Sequence, residues 1–305
     1  MRTTPPPPYN VEELFPELKG QAKTTVRLHP RRGLETGISE SKMGGLFLWP
    51  ADEPWPVCTE LEASLKFKGL LLPNDSARFI DKDDPEHNDA FIGVLQLRAE
   101  DFPEMIFPEE KDLFQLLWCP RDHLNEYCPF SKVYWRKEED TVNPADKVFL
   151  PKNPDKNYLP QPCYLNPERV LEYPSGFELP EEFFFKRIDA WQETQDDALY
   201  EYEMSVAPGT KIGGYVAWIQ GAYEVECKQG HIMEHLLTIA SWEFQGISYT
   251  RWLAIEDQTI INASAEKWHI VRQPSAIMLG DAGSLYLFIC RQCEAWPIDW
   301  VFQCS

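Results

Sequence analysis

Apolar residues along this chain gather in short runs separated by proline, glycine and charged segments, and none approaches the ~18 residues of a membrane span. Four runs have the length and the β-branched and aromatic content of strands: Phe91 to Arg98, Leu113 to Cys119, His235 to Trp242 and Ser284 to Cys290. One stretch has a helical period instead. Phe184, Ile188, Trp191, Gln195, Ala198 and Tyr202 recur at helical spacing, which predicts a helix burying its aromatics and turning an acidic face to water. The 26 prolines in 305 residues exceed the usual ~5% and favour short strands and turns over long helices. The pattern as a whole predicts an α+β protein, mostly antiparallel and β-rich, with few helices.

The apolar pattern repeats. Ser41-Lys42-Met43-Gly44-Gly45 precedes Leu46 to Trp49, and Thr210-Lys211-Ile212-Gly213-Gly214 precedes Tyr215 to Trp218. Cys58 and Cys227 follow the two lysines at the same distance, and the second strand of each copy ends on a cysteine, Cys119 or Cys290. The copies differ by insertions, Pro73 to Asp89 in the first and Phe244 to Asp281 in the second, as surface loops allow. This predicts a lead-in with a Pro-rich start over 1–40 and a first half over 41–130. An acidic, Pro-rich connector with a helix follows over 131–209, then a second half over 210–305. The glycine pairs read as tight turns, or as a ligand-cradling nest with Lys42 or Lys211 beside it. Gly280-Asp281-Ala282-Gly283-Ser284 is a polar turn opening the last strand.

Cysteine and histidine spacing adds candidate chemistry. Cys227-Lys-Gln-Gly-His231 and Cys290-Arg-Gln-Cys293 are a C-x3-H and a C-x2-C knuckle. Brought together they make a Cys3His site of the structural zinc type; buried free thiols or a redox-active C-x2-C are the alternatives. The first half carries a reduced version, Cys58 with Cys119-Pro-Arg-Asp-His123 and Cys128, without a C-x2-C.

Net charge is −20, from 29 basic and 49 acidic side chains, which disfavours nucleic acid and anionic membrane as partners. The excess lies beyond residue 40 and is densest over 176–205, where nine acids face only Lys186 and Arg187. Met-Arg-Thr-Thr followed by Pro5 to Pro8 has no apolar run to act as a signal peptide, so a cytoplasmic protein is expected. The chain contains no G-x-S-x-G elbow, H-E-x-x-H helix, P-loop or Rossmann fingerprint. No catalytic residue is therefore nominated.

The two Lys-x-Gly-Gly segments resemble the YwqG-like family, a bacterial domain of unknown function. So do Trp55-Pro56-Val57-Cys58, Leu95-Gln96-Leu97, Trp218-Ile219-Gln220, Leu236 to Ile239 and Gly280 to Tyr286. The resemblance spans about 41 to 290 and implies a duplicated α+β fold, with a weak association to toxin–immunity neighbourhoods; it supplies no activity. The expected function is a non-enzymatic protein-binding module, an immunity-type neutraliser of a basic toxin, with a structural zinc ion. The alternative is a small-ligand-binding or hydrolytic enzyme using Lys42, Lys211 and Asp281 in a cleft between the halves.

Overall fold

Leu113–Cys119 is buried at every position, so it must be a strand covered on both faces, and it is the second strand of a five-stranded sheet. The computed structural model describes residues 2–33, 36–59, 88–123, 127–141, 154–195, 199–262 and 264–305. Their strands, in chain order, are β1 (Lys23–Arg27), β2 (Lys42–Met43), β3 (Val57–Thr59), β4 (Asn88–Ala90), β5 (Ile92–Arg98), β6 (Leu113–Cys119), β7 (Phe130–Arg136), β8 (Cys163–Tyr164), β9 (Glu168–Glu172), β10 (Lys211–Ile212), β11 (Glu234–Ala240), β12 (Ser284–Ile289) and β13 (Ile298–Gln303). Mixed helix and antiparallel sheet make this an α+β structure.

The described residues form two compact units, one of 32–164 with 275–280, the other of 1–31, 165–274 and 281–305. In the first, the sheet order is β7-β6-β5-β2-β8, and β3 pairs with β4 as a separate hairpin. The bulge between Gly93 and Leu95 adjoins the pairing of Met43 with Leu95. In the second, the order is β13-β12-β11-β10-β1-β9, and a bulge between His235 and Leu237 adjoins the pairing of Ile212 with Leu237. β12, like β6, is buried throughout, whereas its neighbour β13 is half-buried.

These boundaries differ from those the sequence predicts. The lead-in 1–40 contributes β1 to the interior of the six-stranded sheet, where it pairs with both β9 and β10. The connector 131–209 contains most of β7 together with β8 and β9, so it supplies strands to both sheets. Residues 73–87 of the polar loop, with His87, lie outside the described residues.

The acidic stretch is also not one continuous helix. An α-helical turn at Glu181–Phe183 passes into a π-helical segment, Phe184–Asp189, and the helix closes at Ala190–Gln192. A second π-helical segment covers Tyr200–Met204. Because a π-helix advances more residues per turn, and a turn at 193–195 breaks the run, the buried face changes phase. Ile188 is buried as expected and Phe184 and Trp191 pack beside it, but Tyr200 and Met204 fill the core with Val11, Phe15 and Leu18. Tyr202, expected inside, is exposed. Ala198 lies outside the described residues.

Candidate metal centre

The Cys227 knuckle is a hairpin turn. Cys227 N–H donates to the His231 carbonyl at 2.9 Å and Gly230 N–H donates to the Cys227 carbonyl at 2.8 Å, with Glu226 bridged to Ile232 outside them. Gly230 takes φ +76° with open space around it, a left-handed turn position at which a side chain costs strain. That position explains why glycine stands where a second C-x2-C would have put cysteine. The other knuckle begins where β12 ends: Cys290 N–H donates to the Pro297 carbonyl at 3.0 Å and Trp296 N–H to the Cys293 carbonyl at 3.0 Å, closing the β12–β13 connection.

These turns bring all four predicted side chains together. The ligand atoms of Cys227, His231, Cys290 and Cys293 lie within 4.8 Å of one another, and the group can hold a metal ion. Cys227 Sγ is 3.8 Å from Cys293 Sγ, Cys290 Sγ is 3.6 Å from Cys293 Sγ, and His231 Nδ1 is 3.6 Å from Cys290 Sγ and 3.4 Å from Cys293 Sγ. The sulphurs stand far beyond the ~2.05 Å of a disulfide, and all eight cysteines are free thiols. Cys227 and Cys290 pack into an apolar floor with Val216, Trp218, Met233, Tyr286 and Phe288. His231 and Cys293 are half-buried. Burial opposes ionisation of Cys227, but backbone hydrogen bonds from His231 and Gln229 bring its thiol down to about 7. Burial, together with hydrogen bonds to its sulphur neighbours, pushes Cys293 up to about 12. One sulphur is thus poised as a thiolate, the form that binds metal. The Gln229 side-chain amide, which spacing did not single out, lies against the sulphurs of both Cys227 and Cys293.

No protein-family model matches the chain, and no curated protein sequence matches it.

A second group of donors occupies the other unit. Cys58, Cys119 and His123 place their ligand atoms within 4.8 Å of one another. Cys128 is buried nearby in sequence but is not a member of the group; its sulphur faces the Pro129 carbonyl at 3.6 Å.

The three polar candidates have different surroundings. Lys211 is fully buried and its ammonium donates to Glu172 Oε2 at 2.7 Å. Burial lowers its pKa while Glu172 opposes the shift. Lys42, in the other unit, donates to the Gly37 carbonyl at 2.5 Å, and burial brings it down to about 8. Asp281 is exposed on the turn before β12, and its backbone carbonyl accepts from Ser305. Beside Lys211, the turn at Gly213-Gly214 meets an internal anion, the Glu172 carboxylate. Gly213 and Gly214 take φ +64° and +73°, and the Glu172 carboxylate accepts from Tyr215 N–H and from Ala207 N–H at 2.8 Å. Sequence spacing could not reveal this partner, because Glu172 lies on β9 and looks like an ordinary surface acid.

Proposed function

We propose that this chain is a non-enzymatic, protein-binding module stabilised by a structural zinc ion on Cys227, His231, Cys290 and Cys293. Zinc is favoured by edge lengths. Bonds of about 2.3 Å to sulphur and about 2.0–2.1 Å to nitrogen give tetrahedral S···S edges of about 3.8 Å and S···N edges of about 3.6 Å. Four of the six edges of the group, at 3.6–3.8 Å and 3.4–3.6 Å, match. Three thiolates and an imidazole saturate the ion, so it serves structure and leaves no position for a reacting water. Elemental analysis of protein purified without chelator should find zinc, and Cys227→Ser/Cys290→Ser should contain one equivalent less; an unchanged zinc content in that variant would overturn the assignment.

The observation that carries the binding reading is a groove of about 740 Å³ whose lining includes Phe177, Phe185, Glu181, Glu201, Tyr202 and Trp218. Phe177 and Phe185 are 55% and 59% exposed. Trp218 is buried, and its Nε1 has no acceptor among the described residues. Exposed aromatics rimmed by acids suit a cationic protein segment, which would supply the charge complement. This agrees with an immunity-type neutraliser of a basic toxin, and eight free thiols suit a reducing, cytoplasmic setting. The test is a pull-down from native lysate in low and high salt, run with wild type and Phe185→Ala/Glu181→Lys. A salt-sensitive basic partner lost in the variant supports the groove; absence of any such partner sinks it.

The reading of the chain as a duplicated, YwqG-like protein draws support from matching features of the two sheets. Each runs from a two-residue strand holding Lys42 or Lys211, through a bulged strand and a buried strand, to a half-buried one. Gly44 and Gly213 both take positive φ and donate N–H to the bulged strand, at Val94 and Leu236.

A further inference from the structure

We propose that Cys58, Cys119 and His123 form a second metal site, a buried zinc centre for which the described residues supply these three ligands. Cys58 stands on β3, Cys119 closes the fully buried strand β6, and His123 lies on the turn four residues later. Their donors converge to within 4.8 Å, and Cys58 Sγ lies 3.6 Å from His123 Nε2, again the S···N edge of a tetrahedral zinc. All three side chains are at most 2% exposed.

Charge gives an independent reason for that burial. Zn²⁺ with two thiolates and a neutral imidazole is electrically neutral, so enclosing it carries no net-charge penalty. The four-ligand centre has three thiolates and a net charge of −1, and two of its ligands, His231 and Cys293, are half-exposed. Each donor set thus has the exposure that its charge favours. Plain core thiols would need no such convergence: Cys163 and Cys128 are equally buried and stand outside both groups. The His123 ring is held edge-on against Phe130, at 6.4 Å between centroids, which fixes the imidazole relative to the sulphurs.

With one fewer ligand among the described residues, the second ion should bind more weakly and exchange faster than the first. The test is zinc stoichiometry by native mass spectrometry, with release followed by a colorimetric chelator, in wild type, His123→Ala, His123→Cys and Cys227→Ser/Cys290→Ser. Wild type should carry about two zinc ions per chain and release them in a fast and a slow phase. His123→Ala should lose the fast phase and keep the slow one, whereas His123→Cys restores a donor and should keep both. Cys227→Ser/Cys290→Ser should lose the slow phase alone, so failure at the first centre is distinguishable from failure at this one. Should His123→Ala fail to fold, cobalt(II) titration of Cys227→Ser/Cys290→Ser, which leaves the first centre one thiol and one imidazole, isolates the second centre, and a thiolate-to-cobalt band at one equivalent supports it. A single zinc in wild type that is indifferent to His123→Ala, two zincs retained by His123→Ala, or no cobalt band in Cys227→Ser/Cys290→Ser would overturn the proposal.

Discussion

Lys211 and Glu172 form an ion pair at 2.7 Å with neither side chain exposed, and β1 lies between the strands that carry them. Burial raises the Glu172 pKa and lowers that of Lys211, each opposed by the other's charge. The carboxylate also receives two backbone N–H groups, from Ala207 and Tyr215. This pair, with the glycines that make room for it, joins β9, β10 and the segment after β10 into one polar knot inside the sheet.

Removing one partner leaves an uncompensated buried charge. Glu172→Gln or Lys211→Met should each destabilise the protein by about 3–5 kcal/mol in urea unfolding. The double variant should cost less than the sum of the singles, since neither charge is then stranded. Additive losses would show that the two groups act independently.

The glycine pair should respond asymmetrically. Both residues have positive φ, so alanine at either costs about 1–2 kcal/mol in backbone strain. A Cβ at Gly213 meets nothing within 4 Å, whereas one at Gly214 overlaps the Glu172 carboxylate and comes 2.8 Å from Thr25 Cβ. Gly213→Ala should therefore remain folded with a modest loss, and Gly214→Ala should lose roughly twice that or more by overpacking. Equal losses would refute the view that Gly214 is there for close approach.

The strands at the centre of each sheet were readable because burial on both faces writes a continuous apolar run, as in Leu113–Cys119 and Ser284–Ile289. The two turns that bring Cys227, His231, Cys290 and Cys293 together were readable from spacing alone. β1 and β9 were not, because their polar residues are internal: Arg27 is fully buried and donates to the carbonyls of Pro208, Trp252 and Glu243, and Glu172 is the anion for Lys211. A reader of sequence assigns such residues to loops. The phase change from Tyr202 to Tyr200 escaped for another reason, since a 3.6-residue period cannot foresee π-helical turns.

His29 should make the fold acid-sensitive. Burial and the nearby Arg27 hold its pKa down to about 4, although Glu168 accepts from its ring at 2.9 Å and opposes the shift. In the unfolded chain it titrates at about 6.5. Between those values the unfolded state binds the extra proton, so the contribution is present above pH ~6.5 and is lost as pH falls toward ~4. Urea midpoints should decline through that window, and His29→Gln should remove up to one proton's share of the slope, about 1.4 kcal/mol per pH unit. An unchanged slope in the variant would place the sensitivity elsewhere.

Stripping metal from the Cys227 centre should loosen turns before sheets. The backbone bonds that shape it, Cys227 N–H to His231, Gly230 N–H to Cys227 and Cys290 N–H to Pro297, belong to the two short turns that the proposed ion would join. The β11–β12 ladder continues over six paired positions without needing the ion. Hydrogen exchange after chelation should therefore show lost protection at Cys227, Gly230 and Cys290, a lowered melting temperature, and retained protection at Leu237 and Leu287. Local opening of this kind follows from cooperative units of unequal stability. Collapse of the whole six-stranded sheet on chelation would mean that the ion is needed for folding itself, and unchanged protection at the turns would mean that no ion is held there.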